Sequence, residues 1–167
     1  MKKEIYETSE KINLYLNVKP EDSKLFEDIY VGALKNMEYT LKERTANVFP
    51  KRGEIWTIDL GYNAGSEMNK VRPFLILSEN DYNKRSNCVS GFPISHCPEE
   101  FETQLELTDE IIDFKKDEIE GTIICEQITT KTKARLGKFI GKLNEEGIKK
   151  VEKCHLHHLG IGVGSID

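Results

Sequence analysis

The sequence predicts a mainly β fold with some α structure: a small, strongly bent β-barrel with a C-terminal helix, preceded by an N-terminal helical extension. Three observations carry this expectation. Short segments rich in β-branched and aromatic residues, punctuated by Gly, Pro and Asn, fill residues 52–128. Helical periodicity is confined to one stretch before Pro50 and one near the end of the chain. At 167 residues the chain is long enough for one domain with a real core and an appendage.

In chain order, residues 1–49 read as a separable extension. Ile12, Leu14, Leu16 and Val18 alternate over a stretch that suits a strand or the tail of a first short helix. Asp22 or Ser23 caps a helix running to about Arg44, and Phe26, Ile29, Tyr30, Ala33, Leu34, Met37 and Leu41 give it one apolar face. Pro50 ends that period, so the boundary is expected near Phe49 and Lys51, with residues 50–167 as the barrel domain. Glu54–Leu60 alternates as a first strand, 61–72 is a long polar loop, and Phe74–Ser78 is an apolar run suited to burial on both faces. Glu79–Asn87 is turn-rich. Cys88–Ile94 forms a third strand, placed at an edge or ended by Pro93. Gln104–Thr108 and Gly121–Ile128 supply two more, and Lys142–Leu159 closes the domain as a helix with Ile148, Val151, Cys154, Leu156 and Leu159 as its stripe.

Charged residues make up 32% of the chain and the net charge is -5, which excludes a generally basic polyanion binder. No apolar run approaches the length of a membrane span and no signal-peptide pattern follows Met1, so a cytoplasmic protein without membrane attachment is expected. Cys88, Cys97, Cys125 and Cys154 are widely spaced with no C-x-x-C pair, which suits thiols in a reducing compartment. The charge is segregated. Residues 98–121 hold ten Asp or Glu against Lys115 and Lys116, a local charge of -8, whereas 126–153 hold eight Lys or Arg against four Glu, a local charge of +4. Only the second stretch suits a polyanion.

Chemistry concentrates in Gly65-Ser66-Glu67-Met68-Asn69-Lys70-Val71-Arg72-Pro73. Pro73 biases Arg72 to an extended backbone. A guanidinium at such a loop–strand junction offers five donors and a permanent charge to a phosphate, or else it salt-bridges Glu67.

Six segments then fall in one order. They are Arg52-Gly53-Glu54-Ile55-Trp56-x-x-Asp59-Leu60, Gly65-Ser66-Glu67, Arg72-Pro73-Phe74-Leu75-Ile76-Leu77-Ser78, Pro93-Ile94-Ser95, Glu126-Gln127-Ile128 and Arg135-Leu136-Gly137-Lys138. This set resembles the MazF/PemK family of toxin endoribonucleases over roughly residues 51–159. The resemblance implies a plicated SH3-like β-barrel, a homodimer, single-stranded RNA as substrate, and a cognate antitoxin protein as inhibitor. It also implies cleavage without metal or other cofactor: the ribose 2′-hydroxyl attacks, leaving a 2′,3′-cyclic phosphate and a 5′-hydroxyl. The family's catalytic Arg falls on Arg72 and its catalytic Thr on Ser95. Arg72 suits stabilisation of the phosphorane rather than base catalysis, because a guanidinium keeps its proton in proteins and has no lone pair to accept one. Ser95 keeps the hydroxyl and lacks the methyl group that stiffens Thr. Glu67 is the available base unless it neutralises Arg72. Ser66, Lys70, Gln127 and Lys131 are expected to bind RNA, with Gln127 reading base edges or satisfying buried backbone. Thr129 departs from the Arg common in the family, for which Lys131, Lys133 or Arg135 could substitute, and Met68, Asn69 and Lys70 replace its common Gln-Gly-Gly.

Other features weigh less. His96 points away from Ser95 on a continuing strand, and Trp56 suits a core better than base stacking. Cys154, His155, His157 and His158 crowd one helix without a second ligand cluster for zinc. Gly160, Gly162 and Gly164 follow a helix and lack the strand–turn–helix setting of a phosphate loop. A non-enzymatic binding protein on the same barrel is the rival reading. Its gyrase-directed CcdB-like version wants a C-terminal Trp-Gly-Ile, and the single Trp here is Trp56.

Overall fold

The computed structural model describes residues 7, 23–43, 48–63, 66–96, 101–116 and 118–162. The chain divides into two compact units, Met1–Leu41 and Lys42–Asp167. Helix α1 (Ser23–Glu43), which lies in the first unit as far as Leu41, carries Ile29, Leu34, Met37 and Leu41 as exposed apolar residues. The alternation at 12–18, Cys97 and Gly164 lie outside the described residues.

The second unit follows the order β1 (Glu54–Asp59), β2 (Val71–Ile76), α2 (Asn80–Arg85), β3 (Cys88–Ser95), β4 (Gln104–Glu106), β5 (Ile112–Lys115), β6 (Thr122–Ile124), β7 (Thr129–Thr132), a 3₁₀ turn (Lys133–Arg135), β8 (Leu136–Leu143) and α3 (Glu145–His158). Described strands run β4-β6-β3-β2-β1-β8-β5, with β7 also pairing β3, in one bent half-barrel sheet. Every described strand pair is antiparallel.

Alternation divides the apolar residues between the two faces of this sheet. Ile55, Leu75, Phe92, Ile94 and Leu143 pack in the larger core with Val151 and Cys154 of α3. Ile58, Leu60, Phe74, Ile76 and Val89 form a smaller core on the other face, where Trp56, Met68 and Leu136 pack against it. Arg52 ties the layers together: its guanidinium donates to the Leu77 carbonyl and to Glu152 of α3, while its backbone N–H donates to Asn80 Oδ1 at 2.9 Å.

Several segments depart from the expectation. Helix α2 occupies part of the turn-rich stretch, anchored by Asn83, which is 1% exposed. Asn83 Nδ2 donates to Ser78 O at 3.0 Å, and Ser78 Oγ donates to Asn83 Oδ1 at 2.6 Å. Strands β5, β7 and β8 have no counterpart in the sequence reading, and Lys142 lies in β8, so α3 begins only after Asn144, whose Oδ1 accepts from Gly147 N at 2.8 Å. Gly137, Lys138, Gly141 and Lys142 obscure alternation in β8. Gly141 is needed because a Cβ there would sit 2.4 Å from Ile119 Cδ1 and 2.8 Å from Phe114 O. Pro93 neither ends β3 nor sits on a bare edge. On one side it pairs with Phe74, and on the other it falls between the stretch paired with β7 (88–91) and that paired with β6 (94–95), where a missing N–H costs no ladder bond.

Among the described glycines Gly91 is the most tightly enclosed: a Cβ there would lie 1.8 Å from the Leu75 carbonyl oxygen. That obstacle is backbone and cannot rotate away. Gly91→Ala is therefore expected to cost about 3 kcal/mol or more, read as a lowered midpoint in urea unfolding.

Candidate active site

The β2–β3 register builds the first half of the site. Phe74 pairs with Pro93 and Leu75 with Phe92, so continuing the antiparallel register brings Arg72 opposite Ser95 on the same face. The side chains meet there: Arg72 Nη1 lies 3.5 Å from Ser95 Oγ. Arg72 Nε donates to the Asn69 carbonyl at 2.9 Å, which aims the guanidinium from the loop side. Among the described residues Arg72 has no carboxylate partner, so its charge is not spent on Glu67. Ser95 is 3% exposed whereas His96 is exposed, as alternation along the strand requires.

The second half is an open cavity of about 590 Å³ next to Pro93. One wall comes from the loop, with Asn63, Ser66, Glu67 and Met68, and another from Glu126, Gln127, Ile128 and Thr129, with Lys131. The loop closes on itself by Leu60 N–H donating to Lys70 O at 2.9 Å and Lys70 N–H to Gly61 O at 2.8 Å. Lys70 takes a left-handed φ of 66° to make this turn, is exposed, and does not line the cavity. Side-chain amides hold the rest. Asn63 Nδ2 donates to Met68 O at 2.6 Å, Gln127 Oε1 accepts from Met68 N at 2.8 Å, and Gln127 Nε2 donates to Ser66 O at 3.3 Å. Gln127 thus satisfies loop backbone, the second of its two expected uses, and does so on the cavity wall.

Strand β7 delivers the cation. Val89 pairs with Lys131 and Gly91 with Thr129, which puts Lys131 and Thr129 on the face of Pro93 and Ser95. Thr130 faces the other way, 2.7 Å from Ser90 Oγ. Burial pulls the Lys131 pKa down, Arg135 pushes the same way, and Glu67 and Asp59 oppose them. The other two candidate replacements are committed elsewhere. Lys133 is 6% exposed, donates to the Asn83 carbonyl and lies 5.2 Å from the Phe49 ring centroid. Arg135 Nη1 donates to Asp59 O at 3.0 Å.

Glu126, which the resemblance brings in only as the neighbour of Gln127, also lines the cavity. Gln104 Nε2 donates to its Oε1 at 2.7 Å and Thr103 Oγ1 to its Oε2 at 3.3 Å. Its place beside Gln127 was the available signal. Trp56 lies outside the cavity, half-buried, with Nε1 donating to Glu54 at 2.9 Å and its ring 5.7 Å from that of Phe139. The Cys/His cluster disperses: Cys154 is in the core, His155 Nδ1 lies 2.9 Å from Cys125 O, and His157 faces Glu102 at 3.2 Å. No three potential ligands converge among the described residues.

An arginine facing a hydroxyl beside a loop-walled cavity, on a small bent sheet, can be compared with known proteins. Residues 51–158 match the family of PemK-like, MazF-like toxins of type II toxin–antitoxin systems. The chain belongs to this family. Endoribonuclease EndoA of Bacillus subtilis is 31% identical over 107 residues, covering 62% of this chain and 89% of that protein. Among solved structures, MazF of Deinococcus radiodurans aligns with a TM-score of 0.60 at 16% identity, over 69% of this chain and all of the other. A mycobacterial endoribonuclease solved with its cognate antitoxin aligns with a TM-score of 0.56 at 23% identity, over 69% and 99%. The PemK/MazF-like match begins at Lys51, so α1 lies outside it. No helix among the described residues is long and apolar enough to cross a membrane.

If Gln127 is the strut of the loop wall, Gln127→Ala frees Met68 N–H and Ser66 C=O together. Hydrogen exchange at the Met68 amide should then accelerate by about tenfold, the equivalent of one to two lost hydrogen bonds, while exchange in β1–β3 stays unchanged.

Proposed function

We propose that this chain is an endoribonuclease toxin that cuts single-stranded RNA, with sequence preference and without a metal, and is silenced by a cognate antitoxin. The observation that carries the reading is the Arg72 guanidinium, 3.5 Å from the Ser95 hydroxyl and without a carboxylate partner among the described residues, beside the cavity that Lys131 lines. Family membership and the EndoA relative support the reaction class. A mycobacterial structural neighbour's capture with its antitoxin supports the partner. A homodimer acting in the cytoplasm is part of the same proposal.

In the reaction the ribose 2′-oxygen bonds to the adjacent phosphorus and the bond from phosphorus to the 5′-oxygen breaks, giving a 2′,3′-cyclic phosphate and a 5′-hydroxyl. The 2′ proton needs an acceptor, and Glu67, an exposed carboxylate on the cavity wall, takes that role. Arg72 meets the charge that grows on the non-bridging oxygens with a fork already in place and hydrogen-bonds the departing 5′-oxygen, which takes its proton from water. Ser95 fixes one phosphate oxygen. Ser66 and Lys131 bind RNA from the cavity wall, Lys70 takes backbone phosphate from the exposed loop end, and Gln127 acts through the loop that it props.

A catalytically silent binding role is the rival, favoured by the 3% exposure of Ser95. Mixed-sequence single-stranded RNA incubated with the protein in EDTA separates the two. The wild type is expected to leave cyclic phosphates at a limited set of sites. Arg72→Ala should slow cleavage by about 10²- to 10³-fold, the range for losing one preorganised transition-state donor, with an unchanged circular dichroism spectrum. Undiminished cleavage by that variant would overturn the assignment, and a silent wild type would overturn the nuclease.

A further inference from the structure

Two charged groups in the cavity, Lys131 and Glu126, carry no step of the proposed chemistry. Lys131 is half-buried, and among the described residues its ammonium makes no hydrogen bond or ion pair. A partly desolvated cation with three unused donors is built to meet an acceptor that the protein does not supply. Glu126 is the complement. Its two oxygens are each held by one neighbour, Gln104 at 2.7 Å and Thr103 at 3.3 Å, so the carboxylate is fixed in orientation and keeps lone pairs for a ligand. Leu60, Met68 and Pro93 supply apolar surface to the same cavity. A volume of about 590 Å³ is ample for a nucleobase with its ribose.

We propose that this cavity selects a guanine base in the nucleotide next to the scissile phosphate, Glu126 accepting from its N1–H and N2–H and Lys131 donating to its O6. Among the four bases guanine alone presents two adjacent donors to a carboxylate beside an acceptor for an ammonium. Adenine and cytosine each offer one amino donor and set a ring-nitrogen lone pair against the second carboxylate oxygen. Uracil flanks its one donor with two oxygens, which a carboxylate repels. The place along the RNA follows from the strand: Pro93 lines the cavity two positions before Ser95 on the same face, about 7 Å away at the usual rise. That distance is about one nucleotide. The inference rests on the RNA-cleaving reading for where the base lies, and its test is separable from that reading.

The probes are short oligouridylates with one central guanosine, inosine or adenosine, made uncleavable by 2′-deoxy sugars, with affinity measured by fluorescence anisotropy. The guanosine probe is expected to bind about ten- to a hundredfold more tightly than the adenosine probe, the usual yield of one bidentate base contact. Inosine, which lacks the 2-amino group, should fall between them, and this arm needs no protein variant. Lys131→Met and Glu126→Gln should each reduce the guanosine-to-adenosine ratio by about tenfold. Equal binding of guanosine and adenosine probes would overturn the inference whether or not RNA is cut. Guanine-selective binding by a protein that cuts no all-ribose RNA would uphold it and overturn the nuclease.

Discussion

Everything at the site depends on the register between β2 and β3. Side chains alternate along a strand, so a slip of one residue would leave Arg72 and Ser95 on opposite faces. Phe74, Leu75 and Ile76 are wholly buried and pair with Pro93, Phe92 and Gly91, so a slipped register would expose the core on both faces at once. The same strand carries the register onward. The β3–β7 pairing puts Lys131 opposite Val89, on the Arg72 face, and the β3–β6 pairing puts Thr122 opposite Ser95. Strand β3 can serve three partners because β7 and β6 divide its outer edge, with Pro93 at the point of exchange. A residue that usually forbids a central strand position is here the marker of one.

The smaller of the two cores bears the site, and this has a physical reason. The larger core is covered by α3, which closes that face. On the other face the apolar row Ile58, Leu60, Phe74, Ile76 and Val89 meets Trp56, Met68 and Leu136, and the polar loop lies beside it. A loop over an apolar floor leaves backbone groups that water does not reach freely, and these must be satisfied by the protein. Asn63 and Gln127 do this with side-chain amides, and the Asn69 carbonyl in turn aims Arg72. The cavity wall and the aim of the arginine are therefore one hydrogen-bonded assembly, fixed before any ligand arrives.

Much of this was legible in the residues, and the failures have particular causes. Strands β1, β2, β3, β4 and β6 are legible because alternation or an apolar run marks them, and Arg72 and Ser95 stand out from motif order. The meeting of Arg72 with Ser95 was not legible, since register is a pairing property and neither strand encodes it alone. Strand β8 is hidden because Gly137 lies against the Thr57 hydroxyl and Gly141 against Ile119 and the Phe114 carbonyl, which removes the apolar marks that alternation relies on. Lys133, one of three expected substitutes for the family's Arg, is buried and does not line the cavity. A lysine among lysines looks solvated, yet this one closes a network through Asn83 and Ser78 that only the folded turn assembles. Glu126 stands beside Gln127 in a quoted motif, but the way Thr103 and Gln104 hold its carboxylate is not legible, because those two come from a distant strand segment.

Electrostatics gives the sharpest case of sequence and structure differing in kind. The stretch from 126 to 153 reads as a basic stripe suited to drawing in a polyanion, but its members do not act together. Lys133 is buried, Arg135 serves the Asp59 carbonyl, and Lys142 pairs with Asp113 at 3.1 Å. What remains at the cavity is Lys131, with Arg72 nearby on the same face, on a chain whose net charge is -5. Long-range attraction to RNA is correspondingly weak, because steering sums over all charges. Short-range attraction is not, because a cation in a partly desolvated cavity is screened far less by salt and water than one on an open face. A surface built this way discriminates by fit at contact rather than by capture at a distance.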